Sequence, residues 1–136
     1  MFDLTNKNVV VTGATKGIGY GIAAVFATAG ANVAVAARSL HDLDTAVAGL
    51  DALGAGKVIG VAVDVADPRS CQAMAEAAVD AFGGIDVLCA NAGIFPEAPL
   101  ATMTPDDLAT VLDVNVKGTV YSVQACLEAL TRSGAG

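Results

Sequence analysis

Val9-Val10-Val11-Thr12-Gly13-Ala14-Thr15-Lys16-Gly17-Ile18-Gly19 is the stretch whose reading decides the fold. Three β-branched residues run into a glycine turn, and the turn opens a helix whose apolar residues Ile22, Ala23, Phe26 and Ala27 recur at helical spacing. The order is strand, turn, helix. Gly13 lets the chain leave the strand without Cβ strain, and Gly17 and Gly19 are expected to clear space for another molecule at the first turn of the helix. Exposed N–H groups and the positive end of the helix dipole favour a phosphate there, as in dinucleotide-binding folds.

The glycine spacing is neither G-x-G-x-x-G nor a P-loop, because Lys16 precedes Gly17 and does not follow the last glycine. A triphosphate site is therefore disfavoured. Thr12-Gly13-Ala14-Thr15-Lys16-Gly17-Ile18-Gly19 matches T-G-x-x-x-G-x-G and resembles the signature of the short-chain dehydrogenases/reductases. The plain alternative is a tight strand-to-helix turn with no ligand.

At 136 residues, 54% of them hydrophobic and 15% charged, the chain has the size and composition of one packed domain. A net charge of −7 with no basic patch argues against nucleic acid. The cysteines, Cys71, Cys89 and Cys126, are odd in number and form no C-x-x-C pair, so neither a disulfide framework nor a metal site is expected. Reduced thiols and the lack of a basic-then-apolar leader give a cytoplasmic expectation. Residues 17–37 carry no charge, yet Gly30-Ala31-Asn32 divides them into a helix and a strand and not a membrane span.

Val33 to Ala37 reads as a second buried strand, the next step of a βαβ rhythm, with Arg38-Ser39 at its carboxyl end. Ser39 reads as the N-cap of a helix with an apolar stripe of Leu40, Leu43, Val47, Leu50 and Leu53. His41, the sole histidine, lies off that stripe and reads as a solvated side chain. Lys57 to Val63 forms a third strand, closed by Asp64-Val65. Asp67-Pro68 caps the next helix, which leaves Asp64 free for another role. That helix sets Cys71, Met74, Ala75, Ala78, Val79 and Phe82 on one face and stops at Gly83.

Ile85 to Ala90 reads as the fourth strand and delivers Asn91-Ala92-Gly93 to the sheet edge, where an Asn tolerant of unusual backbone angles and two small residues let a cofactor pass close. A proline-interrupted loop covers residues 94–103. Thr104-Pro105-Asp106-Asp107 then starts a long helix reaching about Thr131, with Asn115 set between valines in its middle. Apolar residues on more than one face of this helix suggest a partner helix. Residues 131–136 read as a turn.

The resemblance implies a doubly wound parallel α/β sheet with first strands in order 3-2-1-4, covering all of residues 1–136 as the Rossmann part of one reductase domain. It implies NADP(H) as the cofactor, since Ala37 stands where NAD-type members carry an acid, and Lys16 and Arg38 stand where NADP-type members carry basic residues. By the same resemblance Gly13, Thr15, Lys16, Gly17, Ile18, Gly19, Arg38, Ser39, Asp64, Val65, Asn91, Ala92 and Gly93 bind the cofactor. Asn115, in Asn115-Val116-Lys117-Gly118, is the catalytic Asn of a proton relay. The motif forms look most like those of 3-oxoacyl-acyl carrier protein reductases. The implied substrate is a carbonyl compound, either small or held on an acyl carrier protein, and the implied assembly is a dimer or tetramer through the helix from Pro105. The family's catalytic Ser and Tyr-x-x-x-Lys have no counterpart here, so the 136 residues are expected to be the amino-terminal part of a longer reductase. A nucleotide-binding module without chemistry, or a chain that pairs with a catalytic partner, are the other two readings.

Overall fold

The computed structural model describes residues 2–54 and 56–134. The elements alternate: β1 (Asn8–Thr12), α1 (Gly17–Thr28), β2 (Asn32–Ala37), α2 (Leu40–Asp51), β3 (Val58–Ala62), α3 (Pro68–Phe82), β4 (Val87–Cys89), α4 (Pro105–Leu112) and α5 (Gly118–Ser133). A π-helical turn over Asp113–Lys117 joins the last two helices. The four strands are all parallel, in the order β3-β2-β1-β4, as expected. Val10 sits opposite Ala34 on one side and Leu88 on the other.

Because successive strand residues point to opposite faces, the valine run feeds two cores at once. Val9, Val11, Val33 and Val35 pack with Ala23 and Ala27 of α1 and with Leu43, Ala46 and Leu50 of α2. On the other face Val10, Ala34 and Ala36 meet Cys71, Met74, Ala75 and Ala78 of α3 and Cys126 of α5. The central strands β1 and β2 are buried on both faces, which is why they read as unbroken apolar runs.

The starts of α2, α3 and α4 are capped by local chemistry. The Ser39 hydroxyl accepts the Asp42 N–H, the Asp67 carboxylate accepts the Arg69 N–H ahead of Pro68, and Thr104 and Asp107 form a reciprocal capping box. The Thr104 bonds hold the Asp107 carboxyl below the usual carboxylate range.

Several expectations need correction. The α2 stripe is narrower than its leucines suggest: Leu40 and Leu53 are exposed at the helix ends, and Ala46 takes the inner place between Leu43 and Leu50. β4 is confined to Val87–Cys89, because only that stretch finds a β1 partner. The long helix is not uniformly α-helical, and it runs through Arg132 and Ser133, which were expected in a turn, to Gly134 in the left-handed conformation. Ala135 and Gly136 lie outside the described residues. No helix among the described residues is long and apolar enough to cross a membrane.

Candidate functional site

One cleft of about 650 Å³ opens where the turns after β1, β2, β3 and β4 converge. The β1–α1 turn contributes Gly13, Thr15, Lys16, Ile18 and Gly19; the end of β2 contributes Arg38 and Ser39; Asp64 and Val65 come from beyond β3, and Asn91, Ala92 and Gly93 from beyond β4. Of the expected residues, Gly17 and Asn115 stand outside the lining. Residues separated by most of the chain thus share one surface because all four strands run the same way.

The turn itself is built tightly. Gly13 has φ +66°, and a Cβ there would come within 2.8 Å of Ala92 Cα. Gly17 has φ +57° with nothing within 4 Å of such a Cβ, so its side faces open space. Gly19 serves packing as well: a Cβ there would stand 2.2 Å from the Gly13 carbonyl oxygen and 2.5 Å from Asn91 Nδ2. Gly19 lines the cleft and lets α1 approach the end of β1, whereas Gly17 faces open space outside the lining.

Asn91 also differs from expectation. Asn6 is the non-glycine residue with positive φ among those described, so Asn91 uses no unusual backbone angle. It works as a tether: its Nδ2 donates to the Thr12 carbonyl at 3.0 Å and the Gly13 carbonyl at 3.3 Å. The Thr12 hydroxyl oxygen, 1% exposed, accepts the Asn91 and Ala92 backbone N–H groups at 3.0 Å each. Thr12 was overlooked as a site residue. Its signal is the hydroxyl that ends an otherwise apolar strand, one place before Gly13.

Asp64 is not free, because its Oδ1 accepts the Ala66 N–H at 3.0 Å, although the residue still lines the cleft. Asp42, which the reading of the sequence passed over, joins Arg38 and Ser39 on the lining. It stands three residues after the Ser39 cap, the place where a capping pattern puts an acid. Among the described residues neither Lys16 nor Arg38 takes part in an ion pair; the pairs are Lys7–Asp86, Lys117–Asp113 and Arg132–Glu128.

Asn115 sits in the π-helical turn and faces the loop after β4. Its Oδ1 accepts the Ile94 N–H and its Nδ2 donates to the Ile94 carbonyl, both at 2.8 Å, as a neighbouring strand would. Ile94 lines the cleft, so Asn115 reaches the site through it. Lys117, two residues on, is bonded to Asp113 at 2.6 Å, and that bond raises its pKa. The three cysteines are free thiols, and burial raises all three, Cys126 to about 11. None of them is a thiolate nucleophile at neutral pH.

Helix α1 is set apart at its start. Lys16 occupies its N-cap position without any side-chain cap bond, whereas Ser39, Asp67 and Thr104 cap α2, α3 and α4. The uncapped end faces the cleft, beside open space at Gly17 and the cations of Lys16 and Arg38. These residues fit an anionic ligand of dinucleotide size.

The family model for short chain dehydrogenases matches residues 7–136. A galactitol 2-dehydrogenase of Agrobacterium fabrum is 39% identical over 90% of this chain and 46% of its own length. An L-rhamnose 1-dehydrogenase (NAD(P)(+)) of a Sphingomonas species is 40% identical over 98% of this chain and 52% of its own. The crystal structure of a short chain dehydrogenase from Burkholderia cenocepacia in complex with NADP superposes with a TM-score of 0.88 at 38% identity, covering 94% of this chain and 52% of that one. This chain spans about half the length of these relatives.

Proposed function

The chain belongs to the short-chain dehydrogenase family, and from that premise we propose that the protein is an NADP(H)-dependent oxidoreductase interconverting a carbonyl compound and an alcohol. The observation that carries this reading is the uncapped start of α1, open to the cleft and flanked by Lys16 and Arg38. First-turn N–H groups without an internal acceptor and a positive helix end suit the diphosphate of a dinucleotide. Arg38 and Lys16, without a carboxylate partner among the described residues, suit a 2′-phosphate, and Ala37 offers no acid for a 2′-hydroxyl. The complex of the Burkholderia cenocepacia relative with NADP supports the same choice.

In this reading Gly13, Thr15, Gly17, Ile18 and Gly19 hold the diphosphate, Arg38, Ser39 and Lys16 the phosphorylated ribose, and Asp64 and Val65 the adenine. Asn91, Ala92 and Gly93 border the rest of the nucleotide, and Asn115 fixes Ile94 and contributes to proton delivery. The cofactor, when bound, supplies the hydride. The chain's own part is to hold it over the ends of the strands and to keep the loop at Ile94 in place. The Ser and the Tyr-x-x-x-Lys pair that complete proton transfer in the family are proposed to lie in residues beyond these 136.

The named relatives act on galactitol and L-rhamnose, which favours a small polyhydroxylated substrate over the 3-oxoacyl thioester on an acyl carrier protein suggested by the motif forms. Turnover on polyols or sugars and none on an acyl thioester would support this choice. A homo-oligomer, dimer or tetramer, is proposed to form through α4, the π-helical turn and α5, where Leu108, Leu112, Val116, Val120, Val123 and Leu127 are each between 41% and 55% exposed. A cytoplasmic setting is proposed from the composition and the three free thiols.

The test is cofactor choice. NADPH is expected to bind more tightly than NADH, and Arg38→Asp is expected to weaken NADPH by about 10- to 100-fold and reverse the order, since a hydrogen bond to a charged group contributes about 1.5–3 kcal/mol. Equal affinities in the parent protein would sink the reading.

A further inference from the structure

The Val65 wall of the cleft is set from behind by a residue that does not reach the cleft. Gly118, the first residue of α5, is buried, and a Cβ added to it would lie 2.7 Å from Val65 Cγ2, 3.1 Å from Val65 Cβ and 3.3 Å from the Val65 carbonyl oxygen. Helix and loop therefore touch at a point where only a hydrogen fits. Val65 cannot readily yield, because a β-branched side chain is stiff at χ1 and one of the three contacts is backbone.

The same contact is tied by buried polar groups. The Cys71 thiol donates to the Val65 carbonyl at 3.6 Å, its sulfur lies 3.9 Å from the Ser122 hydroxyl, and that hydroxyl donates to the Gly118 carbonyl at 2.8 Å. Cys71 is 0% and Ser122 1% exposed. The four residues close a ring between α5 and the segment that follows β3. Val65 lines the cleft at one end of this seam; three residues before Gly118, Asn115 holds Ile94, which lines it elsewhere.

Building on the function proposed above, we propose that Gly118 is a positioning residue for the nucleotide. Its missing side chain lets α5 seat Val65 against the adenosine half of the ligand, and it ties that wall to the helix that carries Asn115. Any side chain at 118 moves Val65, and the ligand registers the move.

Isothermal titration of the full-length protein with NADPH and with adenosine 2′,5′-bisphosphate tests this, using the parent, Gly118→Ala, Val65→Ala and the double variant. Gly118→Ala is expected to weaken both ligands about tenfold, and Val65→Ala alone about two- to threefold. In the Val65→Ala background, where the 2.7 Å clash is gone, adding Gly118→Ala is expected to cost less than about threefold more. A general loss of packing would not be relieved in this way by removing a second side chain. Equal losses in both backgrounds, or parent-like binding by Gly118→Ala, would overturn the proposal. Should Gly118→Ala fail to fold, Ser122→Ala cuts the ring without adding volume and is expected to weaken both ligands about two- to threefold, with unchanged binding again overturning it. A parent protein that binds neither ligand would overturn the functional reading itself, and this proposal with it.

Discussion

Gly19→Ala is expected to abolish measurable NADPH binding and to lower stability by about 3 kcal/mol or more, the upper part of the range for overpacked sites. The new methyl group would meet the Gly13 carbonyl oxygen at 2.2 Å, the Gly13 carbonyl carbon at 2.9 Å and Asn91 Nδ2 at 2.5 Å. Two of these atoms are backbone, so relief requires α1 to back away from the end of β1. That movement displaces the uncapped N–H groups proposed to hold the diphosphate and breaks the Asn91 bonds to the Thr12 and Gly13 carbonyls. Gly17→Ala is the informative control. Nothing lies within 4 Å of its Cβ, and its cost is the left-handed backbone at φ +57°, roughly 1–2 kcal/mol. Urea unfolding and a fluorescence titration of both variants separate the two cases. A Gly19→Ala protein as stable as the parent, binding with unchanged affinity, would show that the close approach of helix to strand is not required.

Residues 1–136 expressed by themselves are expected to aggregate or self-associate, and to become soluble when produced together with the part of a relative's length that this chain does not span. β4 pairs with β1 along Val9–Val11 and with no other strand among the described residues. The outer stripe of α4, the π-helical turn and α5 adds six half-exposed leucines and valines. Parallel strands are normally paired and covered, and exposed apolar stripes of this kind drive association. If about 300 Å² of apolar surface needs cover, roughly 7 kcal/mol is at stake at 25 cal/mol per Å², comparable with the whole stability of a small domain. Light scattering of the purified piece decides the matter. A monodisperse monomer that unfolds cooperatively and binds NADPH would favour the alternative of a self-sufficient nucleotide-binding module.

The parts of the fold that could be read from the residues are those with local causes. Thr104 and Asp107 cap each other within one turn, and the 3.6-residue spacing of Cys71, Met74, Ala75 and Ala78 shows their helix face directly. The parallel order of strands and the membership of twelve of the expected residues in one cleft followed from motif resemblance, not from any calculation of packing. Where local pattern and tertiary packing compete, the pattern loses. Leu40 and Leu53 look like core residues by type and spacing, but α2 covers the sheet only along its middle, so they stay in solvent.

By itself the amino-acid sequence determined the alternation of strand and helix, the turn that opens α1, the caps, and the family. Tertiary structure decided why particular residues are there. Asn91 and Ala92 bond to Thr12 across 79 and 80 positions of chain, Asn115 reaches Ile94 across 21, and Gly118 is glycine because Val65 lies against it. Caps and periodicity are set within a turn or two of helix, so neighbouring letters reveal them. Steric exclusion and side-chain tethers between distant segments depend on which strand ends the sheet brings together, and that juxtaposition exists only once the chain has folded.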